Sequence, residues 1–144
     1  MLQELVERFC VALIDELNEA EYLNPELSSF PHGSCEAISQ MVALYLDSKG
    51  VEEVVFTRNR AIISGRNSVH YWVLVGSEVI IDLTAEQFDE FKGSCIRLVT
   101  DSPFHSQFEQ LSFSRPNLGS LVRPGIGANN IIFYKRLLSR LGSV

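Results

Sequence analysis

HYWVLVGSEVIIDL, residues 70–83, decides the fold. Its first half, His70 to Val75, is made of aromatic and β-branched residues that favour a pleated strand. Gly76-Ser77 is a tight turn, and Glu78 to Leu83 runs back as a second apolar strand. The stretch predicts a β-hairpin. Upstream, Val51 to Thr57 is β-rich, Ala61 to Ser64 continues it or forms a short strand, and Asn67-Ser68 marks a turn. Downstream, residues 84–92 read as a short helix and Ile96 to Val99 as one more strand.

Helices precede this sheet. Leu2, Leu5, Val6, Phe9, Leu13 and Leu17 recur at helical spacing and predict a helix over 2–20. Residues 24–34, with two prolines and Gly33, predict a loop. A second helix opens at Cys35, with Ser34 as N-cap and Glu36 in the first turn, where the helix dipole favours an acid. Ile38, Met41, Val42, Tyr45 and Leu46 form its stripe, and Gly50 suits the left-handed position after its end. From Asp101 to Ala128 prolines and glycines break every periodic pattern, predicting a long irregular segment of the kind that often carries function. A last helix is expected over about 130–141. Helices first and strands later predict an α+β domain spanning 1–144, with helices packed on a mostly antiparallel sheet.

Composition sets bounds. The 144 residues are 46% hydrophobic and 21% charged, which argues against disorder. The formal net charge of −6 argues against nonspecific nucleic-acid binding. It hides a split: residues 1–100 carry −9 and residues 101–144 carry +3. A basic face solvated or paired with the acidic half explains this more simply than a docking surface for an acidic partner. The apolar run Phe9–Ile14 is too short to span a bilayer, so no membrane association is expected. The N-terminus lacks the pattern of a cleavable signal peptide. A cytoplasmic protein, or one delivered without such a peptide, is the expectation. Cys10, Cys35 and Cys95 are an odd count that does not read as a disulfide framework.

Three positions carry chemistry. Cys35 opens a helix, where unpaired N–H groups and a partial positive charge favour a thiolate and can hold an oxyanion. Cysteine is also a common buried residue, so packing competes with this reading. His70 on the next strand can take a thiol proton and return it to a leaving group. Asp82 interrupts the apolar run VIIDL, and an acid there needs a partner if buried. It either orients His70 or caps the following segment with Thr84. A turn at Gly76-Ser77 sets His70 opposite position 83, with Asp82 one residue away. A one-residue shift swaps the face.

Gly33-Ser34-Cys35 with its helix, His70-Tyr71-Trp72-Val73 and Val79-Ile80-Ile81-Asp82-Leu83-Thr84, in that order, resemble the core of the transglutaminase-like superfamily within the papain-like fold. That superfamily includes arylamine N-acetyltransferases, peptide N-glycanase-like proteins, proteases and deamidating toxins. The resemblance covers about residues 30–90. It implies a Cys35 nucleophile, a His70 base and an Asp82 orienting residue, acting on the amide carbonyl of a protein or peptide without a cofactor. The products would be those of a glutamine deamidase, a transglutaminase or a cysteine peptidase. Small size suits a bacterial or phage effector-type enzyme, by analogy. Relatives often carry Trp or Gln ahead of the nucleophile, whereas Phe30, Pro31 and His32 stand here. Ser34, His32, Trp72 and Gln87 are the candidates for the oxyanion site or cleft. The alternative is a non-catalytic protein-binding module that keeps the fold.

Other candidates are weaker. His32 and Cys35 make one close pair, where a zinc site wants two, so no metal is expected. His105, between Phe104 and Phe108, could line a substrate site, but reads more simply as a packed or exposed loop residue. Gly125-Ile126-Gly127 lacks the phosphate-loop pattern.

Overall fold

The computed structural model describes residues 1–30, 33–85 and 98–142. Its elements, in chain order, are α1 (Leu2–Glu19), α2 (Cys35–Ser48), β1 (Val54–Ile63), β2 (Arg66–Val75), β3 (Val79–Ile81), β4 (Leu98–Val99), α3 (Pro103–Ser106), β5 (Glu109–Ser114) and α4 (Asn129–Arg140). A single 3₁₀ turn at Leu118–Leu121 precedes α4. The five strands form one antiparallel sheet in the order β4-β3-β2-β1-β5. The architecture is therefore α+β.

Each helix forms because its apolar stripe has a partner. Val6, Phe9 and Leu13 of α1, Ile38, Met41, Val42 and Leu46 of α2, and Phe133 and Leu137 of α4 meet in one core. Val54, Val73 and Ile81 join it from the sheet. Side chains alternate along a strand, so Thr57, Asn59, His70 and Trp72 lie on the opposite face from Val54 and Val73. They are buried as well. The sheet thus carries a mainly apolar group on one phase and a polar, aromatic group on the other.

The structure corrects the strand boundaries. β1 runs unbroken to Ile63, and the turn lies at Ser64-Gly65, not at Asn67-Ser68. Ser64 and Gly65 have φ of 50° and 79°. A two-residue hairpin turn with positive φ at both positions matches the twist of the strands it joins. Asn67 and Ser68 are consequently strand residues, paired with Ile62 and Ala61. The second hairpin uses a three-residue loop, Gly76–Glu78, so Val75 faces Val79 and Val73 faces Ile81. Continuing that register by one step sets Asp82 opposite Trp72. Asp82 then lies on the face of His70, as its diagonal neighbour.

The segment 101–128 is more ordered than its prolines and glycines suggest. It contains α3 and β5, which pairs with β1 through a bulge at Arg58/Asn59. Pairing with an existing strand fixed β5 where local propensity did not. The helix expected over 84–92 falls on Thr84 and Ala85 and otherwise lies outside the described residues, as does the start of the strand expected at Ile96.

Candidate active site

α2 positions the thiol. Cys35 is its first residue and is partly exposed. Ser34 sits at the N-cap position and is wholly buried, but its side chain makes no capping hydrogen bond. Its backbone, φ −112° and ψ 4°, departs from the extended form that aims a capping oxygen at the next turn. Further along α2, the Ser39 hydroxyl donates to the Tyr71 carbonyl at 3.0 Å. This bond fastens the helix to β2 beside His70.

β2 and the end of β3 position the rest. His70 and Asp82 are both fully buried. The His70 Nε2–H donates to Asp82 Oδ2 at 2.7 Å. The Cys35 thiol acts on the same imidazole, as one of the groups that raise its pKa. Nε2 is committed to the carboxylate, so a proton exchanged with a thiol would pass through Nδ1. Beneath the ring, Asn59 Nδ2 donates to the His70 carbonyl at 3.2 Å and to Thr57 Oγ1 at 3.0 Å. Thr57 Oγ1 in turn donates to the Trp72 carbonyl at 3.0 Å. Trp72 is buried with its ring centroid 5.6 Å from that of His70.

Asp82 makes both sets of contacts weighed for it, with separate oxygens. Oδ1 accepts from the Thr84 backbone N–H at 3.1 Å and from its hydroxyl at 3.4 Å. Oδ2 accepts from His70. A buried carboxylate satisfied this fully is held as an anion. Burial by itself would raise its pKa, but the His70 charge and hydrogen bonds from both His105 and His70 hold it well below the usual carboxylate range. For His70, burial pulls down, while the Asp82 charge and hydrogen bond outweigh it, with the Cys35 thiol adding. The imidazole is raised from 6.5 to about 9.

His105 is the packed residue its sequence reading allowed, and it also joins this cluster. It is buried, and its Nε2–H donates to Asp82 Oδ2 at 2.7 Å. Ser102 holds its other nitrogen, with Oγ 2.7 Å from Nδ1. Trp72 meets the His105 ring edge-on at 4.7 Å between centroids, and Phe104 and Phe108 pack around them. The legible signal is Ser102-Pro103, an N-cap residue followed by proline at the first helical position. It marks a helical turn that carries His105, and α3 is that turn.

Of the expected cleft residues, Ser34 and Trp72 flank the site, whereas His32 and Gln87 lie outside the described residues. Cys95 does too, and Cys10 is buried in the first helix. Among the described residues, His70, Asp82 and His105 are the one His, Cys and acid cluster tight enough for a metal, with ligand atoms within 4.8 Å of one another. Around a tetrahedral ion with bonds of about 2.0–2.1 Å, however, such atoms stand about 3.3 Å apart. The 2.7 Å separations are those of charge-assisted hydrogen bonds. The donor set is hydrogen-bonded to itself and does not fit a metal.

Comparison of the chain with protein-family models, with curated proteins and with solved structures finds no match.

Proposed function

We propose that this protein is a thiol-dependent hydrolase or acyltransferase that acts on an amide carbonyl of a protein or peptide, on a transglutaminase-like variant of the papain-like fold. The observation that carries this reading is the buried 2.7 Å bond between the His70 imidazole and the Asp82 carboxylate, with Cys35, the first residue of α2, among the groups that act on the same imidazole. Nucleophile, base and orienting acid stand in the order that acyl transfer requires.

The roles follow from the protonation states. With its pKa raised to about 9, His70 is held as an imidazolium at neutral pH, and loss of the thiol proton from Cys35 completes a thiolate–imidazolium pair. The thiolate attacks the carbonyl carbon and forms a tetrahedral oxyanion. The first-turn N–H groups of α2 are the donors placed to receive that charge. Collapse breaks the C–N bond, and the His70 proton goes to the departing amine. A thioester remains on Cys35. Neutral His70 then takes a proton from water, giving hydrolysis, or from a second amine, giving transfer. Asp82 stays ionised throughout and keeps the ring aligned.

Thiol labelling tests this. Iodoacetamide at pH 7 should modify Cys35 well ahead of Cys10 and Cys95, located by peptide mapping. His70→Gln should slow that labelling by about 10²-fold or more, the scale of lost general-base assistance. Equal, slow modification of all three cysteines in the folded protein would sink the enzyme reading and leave a binding module.

A further inference from the structure

Asp82 Oδ2 accepts from two imidazoles, each at 2.7 Å, and both rings are sealed from solvent. An orienting acid needs one such donor, so the second demands an explanation. We propose that His105 is a positioning residue: it pins Asp82 Oδ2 in line with His70 and so sets the basicity and aim of the imidazole that serves Cys35.

The hydrogen bonds define the chain of command. Oδ1 is drawn toward Thr84 by two contacts, at 3.1 and 3.4 Å. Those contacts fix one oxygen but leave the carboxyl plane free to turn about it. A donor on Oδ2 from a second direction removes that freedom. His105 Nε2 faces an acceptor-only carboxylate, so that nitrogen carries a hydrogen. Ser102 Oγ accepts from the His105 backbone N–H at 3.3 Å and is therefore able to give its own hydrogen to Nδ1 at 2.7 Å. A ring with a hydrogen on Nε2 satisfies the contact to Asp82 and holds the carboxylate where His70 meets it. Trp72, edge-on to the ring, and Phe104, beside it, restrict its tilt.

The assembly therefore runs Ser102–His105–Asp82–His70–Cys35, and its far end rides on the turn that leads into β5. Whatever moves that turn reaches the thiol through Asp82. The part played by Cys35 rests on the proposed thiol chemistry, whereas the effect on His70 does not.

The test follows the His70 ring by NMR titration in full-length protein, with thermal melts alongside. His105→Leu should bring the His70 titration down from about 9 toward 6.5, because the freed carboxylate swings from the ring. His105→Gln, whose Nε2–H₂ reaches the same oxygen, should restore most of the elevation. Ser102→Ala, which removes the α3 N-cap but keeps both imidazoles, should give an intermediate shift, and it serves where His105→Leu does not fold. A His70 titration that stays put, or rises, in folded His105→Leu or Ser102→Ala protein would overturn the proposal and leave His105 a packing residue. In wild-type protein, absence of preferential Cys35 labelling would instead overturn the thiol chemistry and leave the His70 result standing.

Discussion

His70 stores stability in its proton. Its folded-state pKa lies above its unfolded value, at about 9 against 6.5. The contribution is therefore complete below about pH 6.5 and is lost as pH rises through about 9. A shift of that size corresponds to on the order of 3 kcal/mol. Denaturant unfolding should give stability falling between pH 6.5 and 9.5, and His70→Gln should flatten that slope. An equally steep slope in the variant would assign the loss to other groups. Asp82 has the opposite sign. Its depressed pKa stabilises above the normal carboxylate range and is lost as pH falls through its folded value. Cys35, His70 and Asp82 were legible as residues because each is odd where it stands: a thiol opening a helix, an imidazole opening an apolar strand, an acid inside VIIDL. His105 was not, since a lone histidine among phenylalanines in a proline-broken segment carries no pattern of its own.

At the scale of elements, the legible parts were those with strong periodicity. α1, α2 and α4 follow their apolar stripes, and the 70–83 hairpin follows its β-formers and glycine turn. The register was not legible. One residue in the loop decides whether Asp82 shares a face with His70, and only the Val75–Val79 closure settles it. β5 escaped altogether, because every residue in it is exposed and it holds its place by pairing with β1. The loop after α1 is fixed in a similar way. Buried Asn24 donates to Asn129 Oδ1 at 2.9 Å and Asn130 Oδ1 at 2.8 Å, tying this loop to the first turn of α4. Asn24→Ala should cost about 1–3 kcal/mol, because it strands buried polar atoms. A loss below about 0.5 kcal/mol in urea unfolding would mean that the joint relaxes without it.

For the whole molecule, the charge split resolves inward. Arg123 pairs with Glu26 at 2.9 Å, and Arg140 with Glu16 at 2.8 Å and Glu19 at 3.3 Å. Arg136 reaches Glu16 at 3.7 Å. Basic C-terminal residues thus lie against the acidic N-terminal part and join α4 to α1. Salt screens such pairs, so raising NaCl from about 0.1 to 1 M should lower the melting temperature by a few degrees. Glu16→Gln should remove much of that dependence. A melting temperature indifferent to salt would show that the α1–α4 joint rests on its apolar contacts alone. Among the described residues, no helix is long and apolar enough to cross a membrane.

The sequence by itself determined the class of fold and the types of residue available for chemistry. Helical and strand periods are local, and so is the anomaly of a polar residue in an apolar run. What only the tertiary structure decided is which of those residues meet. The meeting of Asp82 with two imidazoles depends on a hairpin register and on a turn 20 residues further along the chain. Hydrogen bonds act over about 3 Å, whereas sequence patterns report only on neighbours within a turn or a strand.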